Sequence, residues 1–259
     1  MYRMRNPDYN LKALVENIMK TDFSTALLKS YLKGRTLWCA AQLAEIMPKD
    51  FTDINNNILD MAVKFLVEEK IFSLKLVSTR CIIKYSRKIK HDVIIQRKDQ
   101  FEVILDNLTQ LLETGTLTSI YLPIEAFTQY SLVHEEIVAQ MAPKITPKLL
   151  QLFKTYHNEG LVGQELLNLF KIWTNYDKCR DIFINTFIPF IMEIVDNYYQ
   201  STANVDNKDL VLQPSNPIDL SADKSSTTEQ RQMSMVDATI LQHVLDLLCT
   251  LLKKTKKMQ

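Results

Sequence analysis

The chain has 259 residues, 46% hydrophobic and 24% charged, with a formal net charge of +1. That is enough apolar content for a buried core, and the near-neutral balance excludes a global field that would gather nucleic acid or an anionic membrane. Only four glycines occur, Gly34, Gly115, Gly160 and Gly163. β-Hairpins and doubly wound nucleotide folds need glycine at turns and phosphate loops, so this scarcity points to an all-α chain.

A first short helix is predicted from the spacing of Leu11, Leu14, Val15 and Ile18. Asp22 offers an N-cap for a long second helix, with Phe23, Leu27, Tyr31 and Trp38 down one apolar side and Pro48 as its stop. Trp38 is accordingly expected in the core. Gly34 inside that helix costs about 1 kcal/mol relative to alanine, which implies close packing of a neighbour or a local kink.

The next helix has the cleanest stripe, Ile54, Ile58, Met61, Ala62, Phe65 and Leu66, leaving Asp53, Asn56, Asn57, Asp60, Lys64 and Glu68 for the wet side. Its partner begins near Phe72 and carries Leu74, Val77, Ser78, Cys81, Ile82 and Tyr85, where the small residues Ser78 and Cys81 allow a close approach. Phe101, Ile104, Leu105, Leu108, Leu111 and Leu112 form a further stripe, closed by Gly115 as a helix C-terminal glycine. Pro123 puts the first turn of the following helix near Tyr121, or else kinks it.

From Glu135 to Tyr156 the pattern is helical but holds Pro143 and Pro147, which predict a break or bend and a longer helix from Pro147. Beyond Gly160, Val162, Leu166, Leu169, Phe170 and Trp173 make another apolar face, with Trp173 expected in the core. Ile184, Phe187, Ile188, Ile191, Ile194, Val195 and Tyr198 continue the pattern, interrupted only by Pro189. Residues 200–234 are polar, with Pro214 and Pro217, and read as an inserted flexible loop. A last helix, Val236 to Leu252, carries Ile240, Val244, Leu247, Leu248 and Leu251, and its terminal lysines complement the helix dipole or form a short anion-binding or targeting patch.

Helix openings near Asn10, Phe51, Lys98, His134 and Lys178 divide the chain into five helix pairs, at 10–47, 51–88, 98–131, 134–175 and 178–254. A period of roughly forty residues with two helices per unit is the signature of HEAT or armadillo arrays. The expected fold is therefore one HEAT-repeat α-α superhelix, a solenoid of about five antiparallel helix pairs spanning 1–259.

No catalytic or metal arrangement emerges. His134-Glu135 begins like an HExxH zinc motif, but Val138 occupies the second histidine position. His91, His157 and His243 are isolated, and Glu68-Glu69 and Glu135-Glu136 are adjacent pairs that diverge around a helix. Asn107-Leu108-Thr109 matches a glycosylation sequon inside a predicted helix and is discarded. No glycine-rich phosphate loop is present, so neither an enzyme nor a cofactor is expected. Cys39, Cys81, Cys179 and Cys249 are widely spaced and read as small buried hydrophobes of a reducing compartment. The N-terminus lacks a signal peptide's apolar run and no long apolar stretch occurs, so a soluble intracellular protein without membrane insertion is expected.

One polar arrangement stands out as a candidate protein-binding site. Arg80, Lys84, Arg87 and Lys88 fall at i, i+4, i+7 and i+8 along one helix, forming a basic ridge. Such runs are ordinarily solvated faces; the functional alternative is contact with an acidic partner.

The run Leu27-Leu28-Lys29-Ser30-Tyr31-Leu32-Lys33-Gly34-Arg35-Thr36-Leu37-Trp38-Cys39-Ala40-Ala41 resembles a segment of the β-karyopherins, the importin-β superfamily of nuclear transport receptors. Their pattern there is Leu-Gly-Arg-x-Leu-Trp-x-Ala; Lys33 replaces the leucine-like position before Gly34-Arg35. Ser73-Leu74-Lys75-Leu76, followed by Arg80, Ile82 and Tyr85, is similar to a HEAT second helix, which makes Lys75 a structural repeat residue by that resemblance. The stretch from Glu125 to Pro147, with Met141, Lys144-Ile145 and Pro147, is similar in order and spacing.

The resemblance runs from Asp8 to Tyr199 and does not reach the family's N-terminal Ran-binding repeats. It implies part of a nuclear import receptor shuttling between cytoplasm and nucleus, holding protein cargo, including basic proteins such as histones, and regulated by the Ran GTPase in its GTP state, mainly through regions outside this chain. Direct nucleic-acid binding is not expected. An exportin or a cytoplasmic HEAT scaffold for assembling a protein complex is the alternative. The family's acidic loop for basic cargo is poorly matched by 200–234, where Asp206, Asp209, Asp219, Asp223 and Glu229 face Lys208, Lys224 and Arg231.

Overall fold

The structure, a computed structural model, describes residues 30–89, 94–95, 98–156 and 159–193 together with positions 13, 196, 245 and 249. Every regular element among these residues is helical. In chain order they are α1 (Ser30–Leu43), α2 (Thr52–Glu68), α3 (Phe72–Ser86), α4 (Lys98–Thr114), α5 (Tyr121–Ser131), α6 (Glu135–Tyr156) and α7 (Gly160–Trp173). A 3-10 turn at Asp177–Cys179, the single turn Arg180–Ile182 and a π-turn at Phe183–Phe187 follow, and residues 188–193 are helical again. The chain forms two compact units, Met1–Met141 and Ala142–Gln259.

Helix α3 is the hub of the first unit, packing against α1, α2, α4 and α5, while α2 also packs on α4 and α4 on α5. The result is two layers, with α1, α3 and α5 in one and α2 and α4 in the other. The apolar stripes dictate this arrangement. On α2, Ile54, Ile58, Ala62, Phe65 and Leu66 are buried while Asp53, Asn57, Asp60, Lys64 and Glu68 face water. On α4, all six predicted stripe residues from Phe101 to Leu112 are buried, and each such side chain contributes roughly 1.5–3 kcal/mol before its entropy cost.

Close approach of the helices depends on small residues. A Cβ on Gly34 would lie 2.9 Å from Cδ2 of Leu74 on α3, so the glycine marks a packing contact. Ser78, Thr79, Thr128 and Ser131 are buried, and each hydroxyl donates to the carbonyl four residues earlier at 2.7–3.0 Å. These polar atoms enter the core already satisfied. Gly115 follows the end of α4, where an added Cβ would lie 2.7 Å from both the Leu111 carbonyl oxygen and Ile120 Cγ2.

In the second unit the core is aromatic. Phe170 meets Phe187 edge-on at 4.7 Å between centroids and Trp173 at 6.0 Å, and Phe153 packs against Phe170 and Phe190 at 6.2 and 6.3 Å. Val162, Leu166, Leu169, Phe170 and Trp173 are buried as expected.

Several sequence expectations are corrected. Pro143 and Pro147 do not break the helix: α6 runs unbroken from Glu135 to Tyr156. Both prolines are exposed, four residues apart on one face, so the carbonyls they leave without an N–H partner can be hydrated. Pro189 is preceded by the π-turn, whose wider i→i+5 geometry relieves the clash its ring would cause in an α-helix. Ile184, in that turn, is 50% exposed rather than part of the stripe. Cys81 and Cys179 are buried, but Cys39 is half-buried and Cys249 exposed. Apart from positions 13, 245 and 249, the expected first short helix, the Asp22 cap, the 200–234 loop, the last helix and the terminal lysines lie outside the described residues.

Candidate protein-binding face

The four basic residues of the predicted ridge do lie along α3 and just beyond its end, but three of them are engaged with neighbouring segments. Lys84 Nζ donates to Glu45 Oε1 at 2.8 Å. Lys88 Nζ donates to the Met47 carbonyl at 3.2 Å. Arg87 reaches the other way, with Nε donating to Gln129 Oε1 at 2.8 Å and Nη2 to Glu125 Oε1 at 3.0 Å on α5. The hydrogen bond from Lys84, then its charge, hold the Glu45 carboxyl below its ordinary pKa, with smaller pulls from Arg80 and Lys88.

The ridge is therefore a row of side-chain ties running from the α1 end through α3 to α5. Buried Tyr85 adds another, its hydroxyl donating to the Ala40 carbonyl at 3.0 Å. Lys75 serves α4 in the same way, donating to Asn107 Oδ1 at 2.7 Å, and Lys33 bonds Glu69 while lying over the Phe65 ring. Only Arg80 of the four ridge residues makes no hydrogen bond or ion pair among the described residues; it is exposed.

Trp38 corrects a second expectation. It is 52% exposed, and Tyr31 on the same helix is 68% exposed. The core stripe is instead Leu37, Ala40 and Ala41 of α1 with Ala44 just past its end, all nearly inaccessible. One residue is about 100° around a helix, so Trp38 beside buried Leu37 turns outward with Tyr31, Arg35, Gln42 and Glu45. The legible signal was the Leu37-x-x-Ala40-Ala41-x-x-Ala44 spacing, masked by the assumption that the largest apolar residue defines the buried face. Arg35, between the two exposed rings, makes no hydrogen bond or ion pair among the described residues.

The outward side of α1 and α3 thus carries two exposed aromatic rings, two unpaired guanidinium groups and the tied cations. Nothing in this set resembles a catalytic constellation. Among the described residues no group of three or more histidine, cysteine or acidic side chains could hold a metal ion. His134 is exposed, its Nδ1 accepting the Glu136 backbone N–H at 3.1 Å at the start of α6. Burial pushes the Cys81 thiol upward, away from the thiolate a nucleophile needs.

No known protein-family model matches the chain. No helix among the described residues is long and apolar enough to cross a membrane.

Proposed function

We propose that this chain is part of an importin-like nuclear import receptor, a HEAT-repeat array most similar to the central repeats of importin-9, which holds protein cargo and releases it under control of Ran-GTP. The observation that carries the reading is the colinear resemblance anchored by Gly34-Arg35-x-Leu37-Trp38. The geometry of the first unit supports it. Glu45–Lys84, Met47–Lys88 and Ala40–Tyr85 join residues 39, 41 and 45 positions apart, and Arg87–Gln129 joins residues 42 apart. Ties recurring at this interval between helices of one layer are what stacked helix pairs of that period produce.

The mechanism is mechanical. Each repeat contacts only its neighbours, so small rotations at successive interfaces sum to a change of curvature. Cargo and Ran, favouring different curvatures, compete through the same array without sharing a contact.

The same architecture serves an exportin or a cytoplasmic scaffold. The positive sign of the α1 and α3 outer face favours these over a receptor that takes histone-like cargo at that face. Import in permeabilised cells separates the readings: the gene product containing this chain accumulates in nuclei with its cargo only when Ran and GTP are supplied. Accumulation of neither, whatever the nucleotide, contradicts the import reading.

A further inference from the structure

We propose that the outer face of α1 and α3, centred on Tyr31, Arg35, Trp38 and Arg80, is a docking strip for an acidic, extended peptide segment of a partner protein. The inference deepens the protein-holding reading above by naming the partner chemistry, yet it is tested without Ran.

Gly34 of α1 lies against Leu74 of α3, Ala40 meets Tyr85, and Met47, just past α1, meets Lys88, just past α3. Sequence order rises together along both segments, so they run in the same direction. That register sets Arg80 alongside the turn carrying Trp38. Arg80 and Arg35 are exposed and unpaired among the described residues, whereas Lys84, Arg87 and Lys88 are held by partners. Two guanidinium groups are therefore free for carboxylates, which they grip in bidentate fashion.

Both rings stand in water on the same side of α1 as Arg35, at i, i+4 and i+7. Trp, Tyr and Arg are the side chains that dominate protein recognition sites. Tyr31 and Trp38 are seven residues apart, about 10 Å along the helix axis. A segment in the extended polyproline II form advances about 3.1 Å per residue with three residues per turn, so apolar groups three residues apart share one side about 9 Å apart and match the two rings, with acidic residues between them near Arg35.

Charge complementarity selects the occupant. Adding Lys84, Arg87 and Lys88 to the two free arginines leaves this face positive after Glu45 and Glu125 are counted, on a chain of net +1. A second copy would bring the same positive face. Nucleic acid favours a longer cationic track, since its sequence-independent affinity grows with the number of phosphates neutralised, and this strip offers two free guanidinium groups.

The test is fluorescence anisotropy of the 259-residue chain with three labelled probes of equal length: a peptide with leucine or phenylalanine at every third position and acidic residues between, its lysine counterpart, and a single-stranded oligonucleotide. The acidic peptide is expected to bind, more weakly as salt rises. Trp38→Ala, or Arg35→Glu with Arg80→Glu, is expected to weaken it by about tenfold or more, with unchanged circular dichroism. Lys84→Glu serves as a comparison and is expected to have a smaller effect. Equal binding of the lysine peptide, preferential binding of the oligonucleotide, occlusion of the strip by self-association, or indifference to the Trp38 and arginine variants would each overturn the proposal. Loss of Ran dependence with retained peptide binding would instead count against the receptor reading alone.

Discussion

Arg87 and Glu125 are 38 residues apart in sequence and 3.0 Å apart in space, joining the end of α3 to α5. Together with Lys84–Glu45 on the other side, this makes the basic ridge a row of inter-helix ties rather than a set of free cations. Solvent screening leaves pairs as exposed as these with little net effect on stability one by one.

Arg87→Ala is therefore expected to lower stability by at most about 1 kcal/mol. A double-mutant cycle with Glu125→Ala should return a positive coupling that shrinks in high salt. Urea unfolding of the four proteins checks it; additive effects would remove the tie from the account.

Gly34 is held against Leu74 by a contact that leaves no room for a Cβ. Alanine gains about 1 kcal/mol of helix propensity, while overpacking costs typically about 1–3 kcal/mol. Gly34→Ala should be destabilising by about 1 kcal/mol in the native background. In a Leu74→Val background the same substitution should become neutral or stabilising, because the clashing methyl has been pulled back. Thermal unfolding of the pair distinguishes packing from a helix kink.

Cys81 and Tyr85 set an alkaline limit. Burial raises both groups above their ordinary values of 9.0 and 10.0, with a further push on Tyr85 from Cys81. Above those values the unfolded chain loses protons that the folded chain keeps, so stability falls as pH rises, approaching about 1.4 kcal/mol per pH unit for each group. The Tyr85 and Cys81 contributions are intact below pH 9. Urea midpoints measured from pH 7 to 11 should show the decline, and Cys81→Ala with Tyr85→Phe should flatten it. At neutral pH, Tyr85→Phe should cost about 1 kcal/mol through the lost bond to Ala40.

The two tryptophans report opposite environments. Trp173 is 1% exposed within the aromatic cluster of the second unit, and Trp38 is 52% exposed. Trp173→Ala should destabilise by about 3–5 kcal/mol, against about 0.5 kcal/mol or less for Trp38→Ala. With Trp173→Phe, the remaining emission should be red-shifted and readily quenched by iodide; with Trp38→Phe, it should be blue-shifted and protected.

The helices themselves were legible because their apolar spacing is strong and their caps and breakers are few. The stripes of α2, α4 and α7 are buried nearly as written in the sequence. What misled was the weight given to single residues. Pro143 and Pro147 lie on a wet face where water can replace the missing bonds, so neither ends α6. Trp38 outranks its neighbours in size, yet the smaller Leu37 and alanines set the buried side of α1. The basic ridge was visible as a pattern, but its partners Glu45, Glu125 and Gln129 lie about forty residues away in sequence, where no local reading connects them.

The measurement that tests the central reading most directly is the affinity of the whole gene product containing this chain for Ran loaded with GTP and with GDP. The receptor reading predicts tight binding to the GTP form and weak binding to the GDP form, with cargo displaced by the former. Equal affinity for the two, or binding to neither, would contradict it.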